Sequence, residues 1–178
     1  LGAMLGNSVA GPLSDAFGRK RVLIFTAVLF SISAIGSALA NNFSFFIFAR
    51  IIGGIGVGGA ILIAPIYIAE IAPADKRGRL VSFNQLNIVI GISAAYFSNY
   101  FLLEIGENNW RWMLGVEAIP SVIYFAALFS VPKSPRWLYK KGNTVQSRII
   151  LEKIGGSDYA KECLVEIKES FNHKGKKS

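Results

Sequence analysis

The sequence predicts an all-α protein that crosses a membrane several times, and three observations carry that prediction. Apolar residues fill 52% of the 178 positions while Asp, Glu, Lys and Arg together reach 17%, against about 25% charged in an ordinary soluble domain. Mean hydropathy is +0.44. The charge is also segregated: stretches of roughly 20 residues with few or no ionisable groups alternate with short charged loops, as a ~30 Å hydrocarbon layer requires of helices that cross it. Finally, the basic residues fall in alternate loops, which gives the spans a direction.

Taken in order, the run from Leu1 ends near Ser14 and is too short to cross a bilayer. It has no basic leader of the kind a signal peptide carries, and is read as the remainder of a helix. Full spans follow at approximately Val22–Ala40, Phe43–Ala69, Leu80–Leu103 and Trp112–Val131. Residues 1–131 thus form a membrane region. Residues 132–178 form a polar segment in which Ile149, Ile150, Ile154 and then Leu164, Ile167 and Phe171 recur at helical spacing, interrupted by Gly155 and Gly156. Two short amphipathic helices are expected there. The basic end at Lys174, Lys176 and Lys177 has no closing feature, so both ends are read as cut and the chain as a fragment.

Seventeen of the nineteen Lys and Arg lie in three places: Arg19 to Arg21, Lys76 to Arg79, and Lys133 onward. The loops around Asn41 and from Glu104 to Asn109 hold none. By the positive-inside rule, loops 15–21 and 71–79 and residues 132–178 are cytoplasmic. The net charge of +8 is accounted for by those loops, and no aromatic-lined basic groove suggests nucleic acid as a partner. One cysteine, Cys163, and one histidine, His173, leave no disulfide or Cys/His metal site to build and no cofactor to expect. Ser134, Cys163 and His173 have no converging catalytic partners in sequence, so an enzyme is disfavoured.

GIGVGG at Gly54–Gly59 matches GxGxxG, with Asp75 about 20 residues on where a dinucleotide site places its acid. That fingerprint must follow a buried strand and open a helix. Here Phe45 to Arg50 and Ala60 to Ile68 continue one apolar segment, so the glycines are read as a surface that lets helices approach closely.

Arg50 and Glu117 are the ionisable groups set deepest in spans, each about a third of the way from the outer face on helices running the same way. A charge at mid-bilayer costs at least ~2.5–3.5 kcal/mol, so such residues are functional candidates and potential partners, with a structural ion pair as the competing reading. Arg111, flanked by Trp110 and Trp112, reads as an interfacial anchor reaching the headgroups. Gln85, with Asn84 and Asn87, puts amides in the cytoplasmic half of its span. An amide both donates and accepts, which suits sugar hydroxyls and equally suits bonding between helices.

Five segments in order resemble the sugar porter family of the major facilitator superfamily. GPLSDAFGRK (Gly11–Lys20) is similar to the superfamily's GxxxDxxGRR loop, and RIIGGIGVG (Arg50–Gly58) to its RxxxGxGxG. PIYIAEIAP (Pro65–Pro73) with Arg77 and Gly78 resembles PxYxxEIAPxxxRG; Gln85 and Leu86 with Gly91 and Ile92 resemble QLxxxxGI; and Trp110–Met113 opens a span as the family's sixth helix does. PKSPRWL (Pro132–Leu138) resembles the PESPRWL box, with Lys133 where glutamate is usual.

The resemblance implies helices two to six of the N-terminal six-helix half of a major facilitator fold, followed by cytoplasmic helices. It implies a carrier working by alternating access on a xylose- or glucose-like monosaccharide, in a bacterial inner membrane, with the C-terminal half as missing partner. SFNQ (Ser82–Gln85), VPKSPRWL and the position of Glu117 are closest to the branch of proton-coupled D-xylose symporters. The resemblance further implies sugar binding by Gln85, proton coupling through Arg50 and Glu117 beside an acid on an absent first helix, and a cytoplasmic gate of Asp15, Arg19, Glu70, Arg77 and, more weakly given Lys133, Arg136. A facilitative uniporter and a non-transporting sugar sensor are the alternatives.

Overall fold

A computed structural model describes residues 1–73, 76–106 and 108–175, with side chains as far as residue 170. Asp75 and the side chain of His173 lie outside the described residues. The helices in chain order are α1 (Gly2–Phe17), α2 (Arg19–Ala38), α3 (Phe43–Ile71), α4 (Arg77–Leu102), α5 (Asn109–Val116), α6 (Ala118–Ser130), α7 (Pro135–Lys140) and α8 (Thr144–Gly175). Among the described residues there is no strand. By length and composition α2, α3, α4 and the α5–α6 pair are each able to cross a membrane.

Local chemistry sets the boundaries. Gly18 adopts φ +93°, a conformation L side chains rarely take, and one residue therefore ends α1 and starts α2. The basic triplet Arg19–Arg21 is consequently the first turn of α2 and not the loop the sequence suggested. Asn42 caps α3, its side chain accepting from the Phe45 amide at 2.9 Å. Pro73 lies beyond the end of α3, and the residue before it is held extended, Ala72 at φ −66°, ψ 132°. The last span divides at Glu117, where Pro120 has no N–H to give the Val116 carbonyl. Glu117 nevertheless keeps helical angles, φ −59° and ψ −22°, so the crossing continues through it.

In the polar segment, Ser134 caps α7 with Pro135 in its first turn, the favoured order for a helix start. The expected break at the glycine pair is present: Gly156, at φ +87° and ψ 179°, divides α8 into two helical pieces. Leu151, Ala160 and Ile167 form its small core with Tyr139 and Tyr159 packed on it.

Hydrocarbon gives helices no hydrophobic reason to associate, so backbone proximity and dispersion must do it. The glycines of α3 serve both its neighbours. A methyl group on Gly58 would overlap the Ala3 carbonyl of α1, and one on Gly6 of α1 would overlap the Ile55 carbonyl of α3. On the other flank, Gly53 and Gly56 meet Ser33 and the Thr26 carbonyl of α2. The dinucleotide-like string is thus helix interior: Gly54, Gly56 and Gly58 face a neighbouring backbone, and Gly59 faces the Thr26 and Ala10 side chains. Below this seam Ala10, Val22, Leu23, Ala27, Ile63, Tyr67 and Leu128 close a core between α1, α2, α3 and α6. By contrast, α4 has no buried residue.

Gly58→Leu forces α1 away from α3 and is expected to destabilise the full-length protein by roughly 1–3 kcal/mol. Gly91→Ala, at a helix position where an added Cβ would meet nothing beyond its own turn of helix among the described residues, is expected to stabilise by about 0.5–1 kcal/mol. Equilibrium unfolding in mixed micelles distinguishes the two signs.

Candidate functional site

The turn at Gly18 sets the last turn of α1 against the first turn of α2, and the end of α3 arrives beside them. Arg19 Nη1 donates to Asp15 Oδ1 at 2.8 Å and to the Ser14 carbonyl at 3.0 Å, while its Nε reaches Glu70 Oε1 at 3.0 Å. The second Glu70 oxygen accepts from the Ser134 hydroxyl at 2.5 Å. Ser134 also takes the Trp137 amide as the cap of α7, at 3.2 Å. Glu70 therefore ties the start of α2 to the start of α7 from the end of α3. The Arg19 and Glu70 side chains are 13% and 12% exposed and that of Asp15 is 54% exposed. A charge that far removed from water depends on its partner; one half in water does not.

Around this pair the end of α6 is fastened by other contacts. Lys20 Nζ donates to the carbonyls of Phe129 at 3.0 Å and Val131 at 2.7 Å, the favoured place for a cation at a helix C-terminus. The Tyr67 hydroxyl donates to the Pro132 carbonyl at 2.5 Å. The Trp137 indole donates to the Asp15 carbonyl at 3.0 Å, its ring lying against Gly18, where a Cβ would come within 3.1 Å.

Four of the five expected gate residues meet. Asp15, Arg19, Glu70 and Arg136 line one cavity of about 320 Å³. Arg136 pairs there with Glu166 of α8, Nη2 to Oε1 at 3.0 Å, and not with Asp15 or Glu70. Arg77 stands apart from the set: its Nε is buried and has no hydrogen-bond partner among the described residues, and its charge acts on Tyr159 of α8. Burial pushes the Tyr159 hydroxyl above its ordinary range, the neighbouring Cys163 thiol adds to that, and Arg77 opposes both. Lys133, the departure from the family box, is exposed.

Towards the other end of α3, Arg50 Nη1 meets Glu117 Oε2 at 3.2 Å, with side chains 45% and 51% exposed. The two candidates set deepest in spans are therefore brought together, Glu117 from the break between α5 and α6. Arg111 departs from its expected role. Instead of reaching outward, its Nη1 donates to the Ala38 carbonyl at 3.1 Å, at the end of α2, while its guanidinium lies 4.7 Å from the centroid of the Trp110 ring. A carbonyl without an intrahelical partner at a helix C-terminus is a favourable acceptor for a cation.

Gln85 is exposed on α4. Asn84 and Asn87, three residues apart, line a different space, a cleft of about 330 Å³ between α3, α4 and Pro132. Gln85 is thus separated from the amides grouped with it by sequence. The contacts that sequence reading missed are those of Ser134, Lys20, Tyr67, Trp137 and Glu166. Only Ser134 carried a signal, as the residue before Pro135; the others join elements between 30 and 122 positions apart.

Comparison with known proteins gives a consistent result. Residues 1–178 match the family described as "Sugar (and other) transporter". The chain is 46% identical over 177 residues to the arabinose-proton symporter of Bacillus subtilis, covering 96% of this chain and 38% of that protein. It is 41% identical over 197 residues to the D-xylose-proton symporter of Escherichia coli, covering 97% of this chain and 40% of the relative. Among solved structures, the partially occluded inward-open conformation of the xylose transporter XylE from E. coli superposes with a TM-score of 0.92 at 40% identity, over 97% of this chain and 46% of that one. The chain therefore spans well under half the length of these relatives, which are transporters.

Glu70→Ala leaves Arg19 without its main partner and is expected to destabilise the full-length protein by about 2–4 kcal/mol. Asp15→Ala is expected to cost less than about 1 kcal/mol, and Ser134→Ala about 1 kcal/mol through loss of a cap and a hydrogen bond. Equilibrium unfolding in mixed micelles gives the order; equal losses for Glu70→Ala and Asp15→Ala contradict it.

Proposed function

The chain belongs to the sugar (and other) transporter family, and on that premise we propose that the whole protein carries a monosaccharide across a membrane by alternating access, with a proton as co-substrate. The observation that carries the reading is the Arg50–Glu117 pair, held in helices otherwise almost free of charge. A charge pair in a span is costly to retain for structure alone, since apolar side chains of equal volume would pack as well. Its value lies in being breakable. A proton arriving on an acid nearby, contributed by chain beyond this sequence, would compete for Arg50 and shift the balance between two conformations. Linkage makes that coupling reciprocal, so the same shift changes affinity for sugar.

In this proposal residues 1–131 are part of one helical half of the carrier and residues 132–178 its cytoplasmic segment. Residues 15–21 and 71–79 face the cytoplasm of a bacterial cell across its inner membrane. Asp15, Arg19, Glu70 and Arg136 form a gate that closes against the other half in one state, with Arg77 acting from beside α8. Gln85, exposed on an α4 that buries nothing here, contacts the sugar where the halves meet. The substrate is a xylose- or glucose-like sugar, a class that includes the named substrates of the relatives above. The cycle involves binding and rocking with no covalent step, so the protein acts as a carrier and not as an enzyme.

Vesicles containing the full-length protein are expected to accumulate labelled xylose or glucose when the outside is made acidic, and to lose that accumulation on adding a protonophore. Glu117→Gln is expected to reduce pH-driven accumulation about tenfold, the effect of ~1.4 kcal/mol, while sugar exchange at equal pH continues. Unchanged pH-driven uptake in Glu117→Gln would count against proton coupling through this pair.

A further inference from the structure

At the α1–α2 junction lies a cavity of about 250 Å³. Phe17, Phe129 and Trp137 form its apolar walls, Arg19, Lys20, Arg21 and Lys133 stand around it with Ser134, and among the described residues no acid lines it. The two acids close by are already engaged, Asp15 and Glu70 both by Arg19. Lys20 is held against the end of α6. Arg21 and Lys133 are exposed, and among the described residues neither has an acceptor. Lys133 thus adds a second cation to Arg21 at that rim.

A second space, about 290 Å³, adjoins the first and shares Phe17 and Arg21 with it. Its other walls are Leu13, Val22 and Phe25, which lie along α1 and α2 on the side leading into the spans. A cation-rimmed cavity at the end of two membrane helices thus opens into an apolar groove running along them. A free phosphate would satisfy the rim and leave the groove unfilled. A zwitterionic lipid would bring a second cation to a wall that has no acid for it.

The geometry points to a binding site for one anionic phospholipid, its phosphate held by Arg21 and Lys133 and the start of an acyl chain lying on Phe17, Leu13 and Phe25. Basic pockets between helices at a membrane surface recognise such headgroups through charge, with the stem of each long side chain covering apolar surface. Arg19 also lines this cavity, but its guanidinium is committed to Asp15 and Glu70; the Arg50–Glu117 pair lies elsewhere, and occupancy is read without measuring transport.

Native mass spectrometry of the full-length protein released from micelles tests it, with phosphatidylglycerol, phosphatidylcholine and inorganic phosphate offered in turn. One retained phosphatidylglycerol is expected, with phosphatidylcholine bound at least about tenfold more weakly and inorganic phosphate failing to displace the lipid. Arg21→Gln combined with Lys133→Gln should weaken retention about tenfold, whereas Arg21→Lys with Lys133→Arg should preserve it. Both side chains are exposed, and an unchanged unfolding midpoint verifies that the variants are folded. Equal retention of phosphatidylcholine, displacement by phosphate alone, or wild-type retention in the double glutamine variant would overturn the assignment.

Discussion

Everything in this chain hangs on α3 being able to touch two other backbones at once. In lipid the usual reward for burying apolar surface is missing, and helices must gain by coming close. Gly54 and Gly58 bring α3 against α1, while Gly53, Gly56 and Gly59 bring it against α2. With a glycine on nearly every facing position, α3 becomes the axis around which its neighbours are arranged. Both ionic sites are built on it, one from Arg50 and one from Glu70.

Those two residues are 20 positions apart, about 30 Å along a helix, and cannot influence one another by direct contact. At that distance even poorly screened charges interact weakly. Any influence between them must pass through the packed body as displacement. The contacts suit that role. At one end Glu70, Lys20 and Tyr67 fix the last turn of α6 and the first turn of α7 to α2 and α3. At the other, Arg111 fixes α5 to the end of α2, and Phe46 meets the edge of Trp110 with ring centroids 6.2 Å apart. Loosening either end alters how α5 and α6 sit against the α1–α3 core, and Glu117 lies at the break between those two helices.

How much of this was legible in sequence follows from the range of the interactions. Spans, helix class and the split at Gly155–Gly156 depend on hydropathy and on residues a few positions apart, and they were read to within a few residues. The start of α2 was placed late, at Val22, because a basic triplet reads as loop; only the positive φ of Gly18 shows that no loop is needed. Arg50 and Glu117 were legible as a pair because charge is rare in a span, so two candidates at equal depth suggest each other. The pairing of Arg136 with Glu166 and the influence of Arg77 on Tyr159 were not, because α8 approaches only in three dimensions and nothing in its amphipathic pattern marks either residue as facing them. Arg111 was misread for a similar reason: the carbonyl at the end of α2 is invisible in a string of letters.

Close backbone contact on both flanks of α3 requires α1, α2 and α3 to move together as one rigid body. Pulsed electron paramagnetic resonance measures it directly, with spin labels at exposed Met4 of α1 and Ile35 of α2 in a cysteine-free, full-length background, with and without saturating sugar. One distance peak that stays in place when sugar is added is expected. A shift approaching one helical turn, about 5.4 Å, would show that the seam slides and would contradict it.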